Sequence, residues 1–334
     1  MIIRTKKEKF KFKILEDTIK KKWVFFYFLI LFSFFFIILS AEQSNVEVIN
    51  SKYLYRFDGV LIPSYAQNGK FNTILILDSG IEKILIDKSE LDIIDNVDFK
   101  LSFFVLPLNN KKSSITIVIQ KKGKLLEYQI PVIEKDPYPK SEIILDNSKK
   151  EIVSSKNTEK REEESKFFNN LLNTKSNLRY FTLPFINPLE IMMIVSVFGN
   201  SRVYKDLNMN ILYTSTHLGV DLKASENTKV YAISTARVAF AGYSITRGNC
   251  IYLDHGYGLY SSYFHLNKLN VKERQIVFAG DLIGYSGSTG ISTGPHLHLG
   301  ATFLGINLDP ISLINEMNEI EENYSRIKIN QSNK

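Results

Sequence analysis

Gly294-Pro295-His296-Leu297-His298-Leu299 and, far earlier in the chain, His217-Leu218-Gly219-Val220-Asp221-Leu222 share one pattern. Both alternate apolar with polar or glycine residues, the period-two signature of an extended strand with one buried face. Leu218, Val220 and Leu222 then point into a core, while His217, Gly219 and Asp221 share the opposite face. In the same way Leu297 and Leu299 lie beneath His296 and His298. A helix would also align residues four apart, but the Leu/Val alternation favours extended chain. Gly219 is expected to leave room for an ion between two ligands. All five histidines, His217, His255, His265, His296 and His298, fall within the 82 residues that end at His298. Clustered histidines with an interspersed aspartate make the donor set of a zinc site. A catalytic zinc takes three protein ligands and keeps an open position, so four or more candidates leave a surplus for general acid–base work. His265, in Tyr263-Phe264-His265-Leu266 at the end of an expected strand, is a candidate for that work. The spacing alone does not choose which of His296 and His298 binds metal. His255, in Asp254-His255-Gly256, reads as a hydrogen-bonded structural residue. Cys250 reads as a buried small hydrophobe, and as the only cysteine it excludes an intrachain disulfide.

The fold class expected around these motifs is mainly β. Within 180–311, Val230–Ala241, Asn249–His255, Leu259–His265 and Leu297–Thr302 read as strands separated by glycine-marked turns, an antiparallel sheet with a metal groove. Upstream, 47–135 is a second β-rich stretch. Its runs Thr73–Leu77, Lys83–Ile86, Leu101–Val105, Ser114–Gln120 and Leu125–Ile133 suggest a small β-sandwich, an accessory domain without histidine that could dock cell-wall or division proteins. Between the two, 136–178 begins with Asp136-Pro137-Tyr138-Pro139. Its Asn147–Lys166 part carries five Glu and six Lys/Arg, which reads as a solvated charged linker, helical from about Asn157 to Leu172. Residues 312–334 read as a short amphipathic helix followed by disorder.

The chain has 334 residues, 44% hydrophobic and 23% charged, a globular balance with room for about two domains of ~150 residues. Its net charge of +7 is uneven. Residues 1–22 hold nine Lys/Arg against three acidic residues, net +6, which leaves +1 for the rest. A near-neutral body excludes a nucleic-acid surface. Trp23–Ala41 is a run of 19 residues without a charge, long enough to cross ~30 Å of hydrocarbon as a helix. The basic block should stay cytoplasmic, and everything after Glu42 should lie outside. The long apolar run, the long basic segment and bulky Leu39 favour an uncleaved anchor over a signal sequence cut near Ala41, which would release a secreted protein.

These motifs together resemble the lysostaphin-type (LytM-like) zinc metalloendopeptidases of bacterial cell-wall metabolism. The resemblance is carried by Val197-Phe198-Gly199, His217–Asp221, Asp254-His255-Gly256, Tyr263–Leu266, Gly280–Gly284, Gly287-Ser288-Thr289-Gly290 and Ser292–His298. It covers about 181–311. It implies His217, Asp221 and His298 as ligands of one Zn2+ per chain, and His265 and His296 as the catalytic pair that activates water and steadies the tetrahedral intermediate. It implies hydrolysis of peptidoglycan cross-links or stem peptides. The alternative is a catalytically silent relative that binds and regulates another wall hydrolase. Gly300 departs from the glutamate that many relatives carry, at a position outside the metal and acid–base set.

Overall fold

The computed structural model describes residues 47–50, 54–57, 59–133 and 138–332, all within one compact unit, Glu47–Lys334. The basic segment 1–22 and the apolar run Trp23–Ala41, with the membrane helix expected there, lie outside the described residues. Among the described residues no helix is long and apolar enough to cross a membrane.

The β-branched and aromatic runs of 47–133 form two sheets, as a small sandwich requires. One has six strands in the order Glu47–Asn50, Leu54–Phe57, Val60–Pro63, Phe71–Ile76, Lys100–Val105, Ile94–Asp95. The other has five, with Ser114–Lys121 between Ile81–Ile86 and Lys124–Ile133. Period two is plain in Ser114–Lys121, where Ile115, Ile117 and Ile119 are buried and their neighbours are not. Phe71–Ile76 is buried on both faces. One of those faces meets the second half of the chain. Phe71 and Phe103 pack on Phe303 (5.9 and 6.2 Å between ring centroids), and Phe103 also packs on Phe181 (5.9 Å). The two stretches therefore share one hydrophobic core.

The charged stretch is helical over Thr158–Leu172, close to the expected Asn157–Leu172, and also over Asn147–Val153, and it is not a solvated tether. Helix α1 (Asn147–Val153) is capped by Asp146, and α2 (Thr158–Leu172) follows after a single turn. Lys149 Nζ donates to the carbonyl of Gly290 (2.8 Å), and Lys150 pairs with Asp206 (2.8 Å). Glu164 accepts from Ser244 Oγ (2.6 Å) and from the backbone of Ile245 (2.9 Å). Phe168, the one buried residue of α2, stacks on Tyr252 at 4.8 Å. One apolar ring amid many charges was too weak a period to mark a packed face.

The second half contributes β1 (Ile194–Ser196), β2 (Ser201–Lys205), β3 (Ile211–Thr216), β4 (Gly219–Lys223), β5 (Ala236–Ser244), β6 (Gly248–Gly256), β7 (Leu259–Leu269), β8 (Leu282–Ser286) and β9 (His296–Phe303). The main sheet runs β1-β4-β9-β7-β6-β5, each pair antiparallel. β2 and β3 form a separate three-stranded sheet with Lys140–Ile144, which pairs parallel to β2. Val230–Ala241, expected as one strand, breaks in two. Ala232 and Ile233 turn their backbone groups to Asp281, Gly280, Ile186 and the Tyr263 hydroxyl instead of a strand neighbour. Helix α3 (Pro310–Ser332) continues well beyond the short helix expected, and its Leu313, Ile314, Met317 and Ile320 join the core at helical spacing.

The main sheet has two unlike faces. Val220, Leu222, Leu297, Leu299, Tyr263, Ile251 and Leu253 point into the shared core. Cys250, Tyr252 and Phe168 form a smaller cluster on the other face, with Phe240 and Phe264 against it. Phe264 stacks on His298 (4.9 Å, 2° between planes), so the helical strap and the histidines lie on the same side of the sheet.

Candidate metal centre

β4 and β9 run antiparallel with Asp221 opposite His298 and Lys223 opposite His296. This pairing, together with alternation along each strand, raises Asp221, His296 and His298 on one face, as the sequence pattern required. His217 sits just before β4. Its amide donates to the carbonyl of Asn200, and its own carbonyl accepts from Gly199 (both 2.8 Å), which fixes its approach. His217 Nε2 lies 3.0 Å from Asp221 Oδ1 and 3.0 Å from His298 Nδ1, and His298 Nδ1 is 3.0 Å from Asp221 Oδ1. Three donor atoms from sites far apart in sequence thus form a nearly equilateral triangle. All three residues are buried.

Hydrogen bonds set which nitrogen is free. His217 Nδ1 faces the carbonyl of Val197 at 3.0 Å. A carbonyl only accepts, so that nitrogen carries the proton and Nε2 presents its lone pair to the triangle. Gly219 does not hold space for an ion, as the sequence had suggested. A β-carbon there would stand 2.5 Å from His298 Nε2 and 2.7 Å from His298 Cε1. The missing side chain makes room for the imidazole of His298, whose other nitrogen then reaches the triangle. Burial works to raise the pKa of Asp221, but the two imidazoles beside it, His217 and His298, outweigh burial and hold the carboxyl well below the ordinary range. Burial also lowers His298 to about 4, so its imidazole is neutral at physiological pH.

The donor set suits a divalent ion. Two imidazole nitrogens and one carboxylate oxygen, all within 3.0 Å of one another, match a three-ligand tetrahedral site. Metal–ligand bonds of about 2.0–2.1 Å require ligand atoms roughly 3.3 Å apart. The 3.0 Å triangle would open by only a few tenths of an ångström to take the ion.

The two remaining imidazoles stand beside the triangle. His296 Nε2 is 3.6 Å from Asp221 Oδ1, and its ring centroid is 4.9 Å from that of His265. His296 Nδ1 faces the carbonyl of Gly294, and His265 Nδ1 that of Thr289, both at 2.8 Å. Each therefore carries a proton on Nδ1 and turns Nε2 away from that carbonyl. His265 adopts a left-handed backbone (φ 62°), uncommon for a side chain of its kind and typical of residues held in place for function. Burial first, then the neighbouring His296 and His298, lower its pKa to about 3. His255 is elsewhere, fully buried between the Thr235 carbonyl (3.1 Å) and Ser261 Oγ (2.8 Å) on the far side of β7, and Cys250 is buried against Phe168. Both fit the structural roles expected of them.

Sequence reasoning missed the partners of the ligands. Arg202 of β2 donates through Nη2 to Asp221 Oδ2 and to Ser196 Oγ (2.8 Å). Ser196 Oγ is in turn 3.3 Å from His217 Nδ1. An arginine and a serine in unremarkable positions carry no spacing signal. Only the pairing of β1 with β4, and the approach of β2, brings them to Asp221.

Residues 215–310 match the profile of peptidase family M23. DD-carboxypeptidase/endopeptidase Mpg of Neisseria meningitidis serogroup B is 36% identical over 129 residues, 38% of this chain and 28% of that protein. Lysostaphin of Staphylococcus staphylolyticus is 48% identical over 84 residues, 25% of this chain and 18% of that protein. The chain thus spans less than a third of the length of these curated relatives. A crystal structure of an M23 peptidase from Pseudomonas aeruginosa covers 75% of this chain and 95% of its own at 20% identity, with a TM-score of 0.55, a likeness of fold. The stretch 215–310, which carries the donor triangle and the two flanking imidazoles, is the part of the chain that matches peptidase family M23.

Proposed function

We propose that this protein is a zinc-dependent endopeptidase that hydrolyses peptide cross-links or stem peptides of bacterial peptidoglycan, with one Zn2+ per chain held by His217, Asp221 and His298. The single observation that carries the reading is the triangle of donor atoms at 3.0 Å with two Nε2 lone pairs beside it. When bound, the ion supplies Lewis acidity toward a water and the scissile carbonyl. The chain's own residues supply the rest. His265 is neutral at physiological pH and has Nε2 free to accept the water's proton. His296, anchored through Nδ1 to Gly294 with its ring 4.9 Å from that of His265, can hold the developing charge or return a proton to the leaving amine. Phe264 stacks under His298 and shields its lower face from water.

The experiment is digestion of purified peptidoglycan by the full chain, with mass analysis of the fragments and metal content measured on the same sample. Zinc near one per chain and new amino termini in the peptides support the reading. Bound zinc without cleavage, together with stimulation of a second wall hydrolase, would establish the regulatory alternative instead. The proposal includes Trp23–Ala41 as an uncleaved anchor in the cytoplasmic membrane, with the peptidase domain outside, where a tether would raise its local concentration at the wall. Recovery of the intact chain in the membrane fraction, resistant to high salt, tests that part. A soluble product starting near Glu42 would replace it with secretion.

A further inference from the structure

We infer that Arg202 is a positioning residue of the metal site, which ties one oxygen of Asp221 so that the carboxylate offers only the other to the ion. This rests on the metal-site reading above. Asp221 Oδ1 is the oxygen that faces the imidazoles, 3.0 Å from His217 Nε2, 3.0 Å from His298 Nδ1 and 3.6 Å from His296 Nε2. Oδ2 turns away and meets Arg202 Nη2. A carboxylate left to itself can grip a divalent ion through both oxygens. Here the second oxygen is already committed to a guanidinium, whose planar donors suit carboxylate geometry. The chain then presents three ligand atoms, not four, and a coordination place stays open for reactants.

The surroundings of Arg202 support a functional reason for it. Its side chain is 13% exposed, and its Nε is buried without a hydrogen-bond partner. Buried ion pairs add little net stability, and an orphaned N–H subtracts from it, so packing alone gives no cause for an arginine there. The same Nη2 donates to Ser196 Oγ, which also accepts from Asn200 Nδ2 (3.2 Å) and lies 3.3 Å from His217 Nδ1. One guanidinium and one hydroxyl therefore hold two of the three ligands from behind.

The test uses the full chain stripped of metal and titrated with Zn2+ and with Co2+, alongside R202M, R202K and S196A. In R202M zinc affinity should fall by roughly 10–100-fold, the usual effect of losing a partner behind a ligand. The visible bands of the cobalt form should weaken as the freed carboxylate raises the coordination number. R202K, which keeps the charge but not the fork, should recover part of the affinity, and S196A should lose several-fold. Unchanged zinc affinity together with an unchanged cobalt spectrum in R202M would overturn the inference. If R202M does not fold, R202K and S196A decide, and parental values in both would overturn it. Failure of the parent chain to bind zinc would refute the metal-site reading itself. A parent that binds zinc, with variants that match it, would refute only the role of Arg202.

Discussion

Single atoms decide what the site can do, and the two positions with the sharpest consequences are His265 and Gly219. His265 lies outside the donor triangle but beside it. His265→Ala should therefore retain zinc near the parental level while peptidoglycan turnover falls by about 10²–10⁴, the range for loss of a positioned base. His217→Ala should lose the metal, because it removes one corner of the triangle. Metal analysis of the two variants side by side separates these roles, and near-stoichiometric zinc in His217→Ala would sink the ligand assignment. Gly219→Ala tests the corrected role of that glycine. The new methyl would collide with the His298 ring at 2.5 Å and with the Leu299 carbonyl at 2.5 Å. The backbone cannot yield easily, so the ring must swing away, and zinc affinity should drop at least tenfold with little change in secondary structure.

At the scale of elements, period-two alternation in β4 and β9 made the strands that carry the donor atoms legible, and the observed registers put Asp221 against His298 as that alternation demands. The same logic found the five longest strands of 47–133 within a residue or two and missed the six short ones of two to four residues, which hold too few positions to show a period. It failed where contacts beyond the local sequence override it. Ala232 and Ile233 leave the strand because other partners satisfy their backbone groups better. Of the strap, α2 was legible as helix and α1 was not, and neither was legible as a packed element, because docking relies on a few apolar side chains around Phe168 and on charged side chains that bond to backbone carbonyls and amides. Phe168→Ala should cost up to about 3–5 kcal/mol, the range for a buried phenylalanine. The loss should be local. Amides of 158–172 should exchange faster with deuterium while those of β4 and β9 keep their protection, and equal loss in both would show that strap and sheet unfold together.

For the whole molecule, the shared core makes the two β-rich stretches one cooperative body, with α3 as part of the clamp. Glu316 of α3 accepts from Thr73 Oγ1 (3.2 Å), and Lys70 pairs with Asp309 (2.6 Å). Burial, and then the nearby Glu319, push the Glu316 pKa up to about 7 from an ordinary 4.5. Below pH 4.5 this group is protonated folded or unfolded. As pH rises toward about 7 the unfolded chain releases a proton that the folded chain keeps, so the stability this group contributes is lost across that window and the loss levels off above it. Between pH 5 and pH 8 the melting temperature of the parent should fall more than that of Glu316→Gln, and parallel curves would refute the coupling.

The sequence by itself determined the local matters: which long stretches extend, which residues offer donor atoms suited to a metal, and that Asp221 and the His296/His298 pair stand on polar strand faces, because side-chain alternation follows from backbone geometry alone. Tertiary structure decided the rest. It showed that His298 meets the other two donor atoms through Nδ1, that Gly219 clears space for a ring, that Arg202 and Ser196 stand behind Asp221 and His217, and that a charged segment packs onto the sheet. Those outcomes depend on strand order and on contacts between residues far apart in the chain, and no periodicity records them.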